Sequence, residues 1–195
     1  MRIILASGSP RRSELLKNAG VDFTVIKSGV EENVSDRLPP HLYTETLAEM
    51  KGSDVFYNLL SDKRGAAVIS ADTVVYFKGE YLLKPKSEKE EESFLRKLSA
   101  ATHAVYTGYS VLYEDFRITS FEKTLVTFNP LSEELIESYI KSKKYVGKAG
   151  GYGIQDGFPL VKSIDGDYDN VVGLPVQKIK GILNGILKYE KQIGY

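Results

Sequence analysis

Branched apolar residues fall into continuous runs at several places along the chain, and these runs predict strands. Residues 2–6 indicate a short buried strand, residues 21–27 a second, and residues 66–77 a long one. Lys78-Gly79 is typical of a tight turn into a returning strand at residues 80–83.

Polar caps followed by helical spacing predict helices between these strands. Ser9-Pro10 begins the first helix, because Ser favours the cap position and Pro the first helical position, and Gly20 ends it. The other predicted helices follow Pro39-Pro40, span residues 87–98 with a Ser87–Glu90 capping box, run from Ser132 to about Lys141, and begin at Pro175.

Strands and helices alternate, with some strands paired as hairpins. Residues 104–113 and 117–128 are two β-rich runs that meet at Glu114-Asp115, which predicts a long hairpin. This order is typical of an α/β protein with a mixed, twisted sheet flanked by helices. The length of 195 residues predicts a single domain over residues 1–195, with room for two lobes.

Composition narrows the chemistry. The chain has no cysteine and only two histidines, His41 and His103, which excludes thiolate and multi-histidine metal sites. A divalent metal would be held by carboxylates and phosphate oxygens, which suits Mg²⁺ or Mn²⁺. The acidic run at residues 88–92 is expected to be a solvated helix face rather than a metal site.

The charge balance limits the partners. Lys plus Arg equals Asp plus Glu at 26 each, so no overall basic field favours nucleic acid. The apolar run near the N-terminus is too short for a signal-peptide core, and no stretch approaches a membrane span. We therefore expect a cytoplasmic protein with no membrane or nucleic-acid partner. The sequence does not decide between a monomer and a homodimer.

The segment Ser7-Gly8-Ser9-Pro10-Arg11-Arg12 lies where a strand turns into a helix N-terminus. Backbone N–H groups there favour an anion, and two arginines add bidentate donors for phosphate. An ordinary Ser-Pro cap with exposed arginines explains the segment equally well. The spaced glycines and the Gly-Lys-Ser/Thr of a Walker A loop are missing.

Asp72 interrupts the apolar pattern of residues 66–77. A carboxylate in a buried strand is costly unless it is paired or binds a metal. It is therefore a candidate metal ligand or general base for water. A salt-bridged structural Asp, or a position at a strand edge, is the alternative.

Lysines beside structured elements and a glycine-rich loop complete the candidates. A triphosphate requires several converging cations, and two or three of Lys51, Lys84 and Lys148 could supply them, although each alone is more often a surface lysine. Glycines at residues 147–157 allow close backbone approach to a ligand. The amide of Gln155 can accept from N3–H of uracil or thymine and donate to O4. The segment at residues 166–175 fits a structural role as well as a ligand role.

Together these segments resemble the Maf family nearly from end to end. The family's motifs occur here in order: LASGSPRR, LAxxK ending at Lys51, VISADTVV, Lys84-Pro85, a Thr-His segment at residues 102–108, KAGGYGIQ and DNVVGLP. The resemblance implies a Maf/ITPase-like α/β fold with two lobes around a deep cleft. It also implies hydrolysis of nucleoside triphosphates between the α and β phosphates, with a divalent cation.

The resemblance also implies roles for individual residues. Asp72 stands at the catalytic position and, with Glu32, at a metal-binding position. Substrate binding or completion of the active site is implied for Ser7, Arg11, Arg12, Glu32, Lys51 and Lys84.

One branch of the family acts on dTTP and UTP and carries Arg, Thr and Gln, as at Arg11, Thr73 and Gln155. The branch that acts on 7-methyl-GTP tends to carry Gln after the catalytic Asp, and Glu in place of Gln155. This chain resembles the first branch. It departs mildly from the family at three positions, which are Glu31, Gly52 and Ala100.

Two other functions stay open at this point. One is a nucleotide-binding regulator of cell division with little catalysis. The other is a phosphatase or kinase that uses the N-terminal anion site. The sequence does not rank dTTP, UTP, CTP and modified pyrimidine nucleotides.

Overall fold

A computed structural model describes residues 1–193. The chain forms a mixed sheet with helices between the strands. The strands are β1 Arg2–Leu5, β2 Thr24–Val25, β3 Ala66–Phe77, β4 Glu80–Leu82, β5 Thr102–Tyr113, β6 Phe116–Phe128 and β7 Val161–Asp165. The helices are α1 Pro10–Asn18, α2 Pro40–Ser53, α3 Glu88–Leu98, α4 Glu133–Lys141, α5 Tyr168–Val172 and α6 Val176–Ile193.

In residues 1–193 the sheet has seven strands, in the order β2-β1-β3-β5-β6-β7, with β4 paired to β3. β1 is parallel to both β2 and β3, whereas β4 is antiparallel to β3 and β7 is antiparallel to β6. The parallel pairs need the crossover connections that α1 and α2 supply, and the antiparallel pair β3–β4 needs only the turn Lys78-Gly79. The predicted α/β class with a mixed sheet is confirmed.

The internal contacts divide the chain into two compact units. Unit 1 comprises Met1–Asp72, Thr107–Glu122 and the segment from Gly173 onwards, and unit 2 comprises Thr73–Tyr106 and Lys123–Val172. β3, β5 and β6 therefore contribute residues to both units. That the chain forms one domain around a deep cleft stays a prediction.

Each unit has its own hydrophobic core. In unit 1, Leu5, Ile69 and Val111 of the sheet pack with Leu16 of α1 and Ile179 of α6. A second cluster in unit 1 contains Val55 and Phe56, from the π-helix Asp54–Leu59 that follows α2, together with Ile4 of β1 and Val68 of β3. The core of unit 2 is built from β3–β6, α3, α4 and the loops around Tyr145, Tyr152 and Leu160.

Close packing fixes α2 against β5 within unit 1. A Cβ atom added to Gly108 would lie 2.2 Å from the carbonyl carbon of Thr44. No side chain fits there, so the backbones of the strand and the helix touch directly. This contact places the C-terminal half of α2, which carries Lys51, relative to the sheet.

One predicted strand is shorter than expected, and one observed strand was not predicted. The expected strand at residues 21–27 is only Thr24–Val25, because this edge segment pairs with β1 at two positions alone. β7 was not predicted, because its sequence Val-Lys-Ser-Ile-Asp lacks a continuous apolar run. Within residues 1–193, no helix has both the length and the hydropathy that a membrane span requires.

Candidate active site

The segment between β1 and α1 forms a turn that is held by its own side chains. The Oγ of Ser7 accepts from the backbone N–H of Ser9 at 3.2 Å and from Nη1 of Arg12 at 3.1 Å. Nε of Arg12 donates to the carbonyl of Gly173 at 2.8 Å. Ser9 occupies the cap position with Pro10 after it, as predicted, but its side chain makes no cap hydrogen bond in the described structure. The turn therefore holds an arginine at a helix N-terminus, which suits an anion.

Asp72 lies in β3 and is paired with Lys51 of α2. Nζ of Lys51 is 2.6 Å from Oδ1 of Asp72 and 2.8 Å from Oε1 of Glu32. The side chains of Asp72 and Lys51 are only 11% and 12% exposed, whereas Glu32 is 46% exposed. The ammonium of Lys51 therefore contacts both the Asp72 carboxylate of β3 and the Glu32 carboxylate of the loop before α2.

These two clusters lie near each other because β1 and β3 run in parallel. Leu5 is in register with Ile69, and the next backbone N–H, of Ala6, donates to the carbonyl of Ile69 at 2.7 Å. Burial lowers the pKa of Arg12, and the charge of Asp72 acts in the opposite direction. Arg12 therefore experiences the field of the Asp72 carboxylate, as two residues of one site should.

Tyr43 is a further residue of this site that the sequence did not suggest. Its side chain is buried on α2, and its pKa is raised, first by burial and then by the charges of Asp72 and Glu32. Tyr43 precedes Lys51 by eight residues, close to two helical turns, and so lies on the same helix face. The eight-residue spacing from Lys51 was the only signal for Tyr43 in the sequence, but a residue that merely packs in the core would show the same spacing.

The two carboxylates fit a divalent metal of the expected kind. Mg²⁺ is usually held by one or two carboxylates, with substrate phosphates and water completing the shell. Asp72 and Glu32 already converge on one cation, the Lys51 ammonium. No group of three or more His, Cys, Asp or Glu side chains suited to a metal occurs in the described part of the chain, so phosphate oxygens would supply the remaining ligands.

The glycine-rich loop belongs to unit 2 and is anchored by Asp156. Nζ of Lys148 lies 2.5 Å from both carboxylate oxygens of Asp156, and the hydroxyl of Tyr139 donates to the same carboxylate at 2.7 Å. The backbone N–H of Gly153 donates to the Tyr139 hydroxyl at 3.2 Å. The charge of Lys148 is therefore balanced within the loop. Lys148 therefore has a structural role in this loop, and a role as a phosphate ligand stays a prediction.

Three predicted site residues, Thr73, Lys84 and Gln155, belong to unit 2. Gln155 is exposed in a turn next to the anchored Asp156, and Lys84 is exposed after β4. Thr73 follows Asp72 directly in β3 and is half-buried. Their roles in substrate binding stay predictions.

The expectation that residues 88–92 form a solvated face is wrong for Glu91. Glu91 is fully buried, and within residues 1–193 neither carboxylate oxygen has a hydrogen-bond partner. Burial raises its pKa to about 8, although nearby Lys148 acts the other way. A Cβ atom on Gly151 would lie 1.6 Å from Oε2 of Glu91, so the glycine admits this side chain beneath the loop.

Comparison with known proteins assigns the chain to a family. The model for Maf-like proteins matches residues 2–186. The chain belongs to the Maf family. A relative from Thermosipho africanus is 47% identical over 184 residues, covering 94% of this chain and 92% of that protein. A relative from Bacillus cereus is 45% identical over 179 residues, and one from Thermosipho melanesiensis is 44% identical over 184.

All three relatives are named dTTP/UTP pyrophosphatase, and this chain covers 92% of the Bacillus cereus protein and 97% of the Thermosipho melanesiensis protein. The similarity to the family that the motifs indicated is therefore confirmed.

Two departures from the family's usual residues have visible consequences. A Cβ atom at Gly52 would lie 2.6 Å from Oγ of Ser70 and 2.7 Å from Cδ1 of Leu112, so an alanine does not fit without movement. Ala100 has a φ of 56°, in the left-handed region that glycine adopts without strain. The backbone at residue 100 therefore keeps a conformation that suits the glycine common in the family.

Proposed function

We propose that the protein is a nucleoside triphosphate pyrophosphatase that hydrolyses dTTP and UTP to the monophosphate and pyrophosphate. The names of relatives at 44–47% identity support this function. The observation that carries it is the strand carboxylate of Asp72, ion-paired with Lys51 and in the electrostatic field of Arg12. A cytoplasmic location is part of the proposal.

Phosphate binding is assigned to the turn at residues 7–12 and to nearby cations. Arg11 and Arg12 supply planar donor pairs that match phosphate oxygens. The bonds from Arg12 to Ser7 and Gly173 hold one guanidinium in place before the substrate arrives. Lys84 is proposed to add a further cation.

Asp72 is assigned the role of general base. It accepts a proton from the water that attacks the α-phosphorus, while the bond from that phosphorus to the bridging oxygen breaks and pyrophosphate departs. Lys51 orients the carboxylate through the 2.6 Å contact. Glu32 and Asp72 would hold Mg²⁺ or Mn²⁺, which when bound stabilises negative charge on the phosphate oxygens.

Replacement of Asp72 by Asn tests the base. Asn keeps the shape but cannot take the proton, so we expect turnover of dTTP to fall by about a thousandfold. Pyrophosphate release at saturating substrate measures it. Asp62→Asn is the matched control, because Asp62 is an exposed carboxylate paired with Arg64, and it should keep full turnover. Wild-type turnover in the Asp72→Asn protein would remove Asp72 from the mechanism.

Gln155 is proposed to read the pyrimidine base. An amide both accepts from N3–H and donates to O4, whereas a carboxylate cannot donate. Gln155→Glu should therefore lower kcat/KM for dTTP and UTP by about tenfold or more, as a site that loses a required hydrogen bond does. A panel of triphosphates scored for pyrophosphate measures the effect. Equal kcat/KM values for both proteins across the panel would contradict the assignment.

The same assay separates the rival functions. Release of orthophosphate or transfer of a phosphoryl group would favour a phosphatase or kinase. Tight nucleotide binding without release of either product would favour a regulator of cell division.

A further inference from the structure

Lys27 lies directly beside the turn that is assigned to phosphate binding. A Cβ atom built on Gly8 would lie 3.2 Å from Cε of Lys27, 3.3 Å from its Cδ and 3.6 Å from its Cγ. The aliphatic part of this lysine therefore runs over Gly8, at the centre of the segment Ser7-Gly8-Ser9. The missing side chain of Gly8 leaves the room that the lysine uses.

The backbone on both sides of Lys27 is anchored. Before it, the N–H of Ile26 donates to the carbonyl of Leu5 at 3.1 Å. After it, Asp54 accepts from Oγ of Ser28 at 2.7 Å and from the N–H of Gly29 at 2.9 Å. The bond from Ser28 is the main reason that the pKa of Asp54 is lowered, so this carboxylate stays ionised and keeps the segment in place.

The charge of Lys27 is not used within the protein. Lys27 is exposed, and among residues 1–193 its ammonium has no ion pair within 4.0 Å and no hydrogen bond. Lys51 and Lys148, in contrast, are each held by carboxylates. A cation that is fixed at its stem and open at its tip is suited to an anionic ligand that arrives from solution.

We infer that Lys27 is a further phosphate-binding residue, whose ammonium contacts the polyphosphate at the turn of residues 7–12. The inference rests on the proposed function, since it takes the same turn as the phosphate site. It adds a residue that none of the motifs contains. Its role is to strengthen binding of the phosphate chain, so its loss should raise KM and leave kcat unchanged.

Binding of inorganic tripolyphosphate, measured by calorimetry, tests the inference without requiring hydrolysis. Lys27→Met keeps the aliphatic stem over Gly8 and removes the charge. We expect the dissociation constant to rise by about tenfold, the effect of losing one good charged contact. Lys27→Arg should bind within about twofold of the wild type, because it restores the charge.

Lys17→Met is the matched control. Lys17 is an exposed lysine at the C-terminal end of α1, whereas the phosphate-binding segment of residues 7–12 lies at the N-terminal end. The substitution therefore removes the same charge at the far end of a nine-residue helix. Its dissociation constant for tripolyphosphate should equal that of the wild type. KM and kcat for dTTP, measured for the same four proteins, should show a raised KM only for Lys27→Met.

The outcomes separate this inference from the proposed function. If Lys27→Met and Lys17→Met bind tripolyphosphate equally, or if the wild type does not bind it, Lys27 is not a phosphate ligand, even if pyrophosphate is released from dTTP. If the wild type releases no pyrophosphate but Lys27→Met alone loses tripolyphosphate affinity, the proposed function fails and the assignment of Lys27 holds.

Discussion

Among the individual residues, Lys51 has the largest effect on how the candidate site is organised. Its ammonium lies within 2.8 Å of two carboxylates that come from different elements, β3 and the loop before α2. The Lys51 side chain is only 12% exposed and is stabilised by both anions, and removing it would leave Asp72 without its partner in a poorly solvated place. Lys51 therefore brings together Asp72 and Glu32, the two carboxylates that are proposed to hold a metal.

Gly52, next to Lys51, gives the first stability prediction. Gly52→Ala should lower the free energy of unfolding by about 1–3 kcal/mol, because the new methyl group overlaps Ser70 and Leu112. Urea denaturation measures this change. Gly181→Ala in α6 is the control: nothing lies within 4 Å of its Cβ position, so helix propensity alone should raise stability by about 0.5–1 kcal/mol. Similar effects of the two substitutions would show that α2 can move away from β3.

Ala100 gives a second prediction of opposite sign. Its left-handed φ of 56° costs an L-residue free energy that glycine does not incur. After allowing for the greater freedom of glycine in the unfolded chain, Ala100→Gly should raise the free energy of unfolding by about 0.5 kcal/mol. Ala101→Gly, next to it but without a positive φ, should lower it. Thermal unfolding of both variants measures these changes. A loss of stability in Ala100→Gly would show that the positive φ of Ala100 does not destabilise the protein.

Among the elements, α3 and the glycine-rich loop form the pair with the most unusual contact. The first five residues of α3 are all charged, yet Glu91 faces inward beneath Gly151. Burial without a hydrogen-bond partner favours the neutral acid, which is why its pKa rises to about 8. A neutral carboxyl group thus supports the loop that carries Gln155.

This contact predicts a pH dependence of stability. The folded state keeps the proton of Glu91 up to about pH 8, whereas the unfolded chain loses it near 4.5, so its contribution is present below 4.5 and is lost as pH rises towards 8. Glu91→Gln cannot ionise. Its Tm should therefore equal that of the wild type at low pH and exceed it by at least about 5 °C at high pH.

The control for this prediction lies on the same helix. Glu92 is exposed and paired with Arg96, so Glu92→Gln should not change how Tm depends on pH. Scanning calorimetry of the three proteins at both ends of the range gives the comparison. If the Tm difference between Glu91→Gln and the wild type is the same at both pH values, Glu91 does not titrate as proposed.

The strands and helices that could be predicted from the sequence are those whose apolar residues follow the pattern of buried positions or whose first residue is a capping residue. The β3 pattern gave its bounds, Ala66–Phe77, correctly, and Ser87 and Ser132 cap α3 and α4 through their side chains. β7 could not be found, because this edge strand mixes polar and apolar residues on both faces and so shows little periodicity. Glu91 could not be placed inside, because composition favours exposure for a run of acidic residues and only the packing of Gly151 makes room.

Considering the whole molecule, the site could be predicted in part. Asp72 was identifiable because a carboxylate in an apolar strand is costly, and Arg12 because it follows a strand at a helix start. The pairing of Asp72 with Lys51 could not be derived from residue pattern alone, since it depends on how α2 packs across Gly108. Lys27 left no signal, because an exposed lysine after a short strand is common.

The division into units has a consequence for inheritance of the activity. One boundary lies between Asp72 and Thr73, so the proposed proton acceptor ends the first segment of unit 1, and a residue predicted to take part in substrate choice begins unit 2. Neither unit is one uninterrupted stretch of sequence, so no single recombination event can exchange one unit without cutting the other. The segments that carry the proposed catalytic residue and the residues predicted for nucleotide choice therefore alternate along one gene.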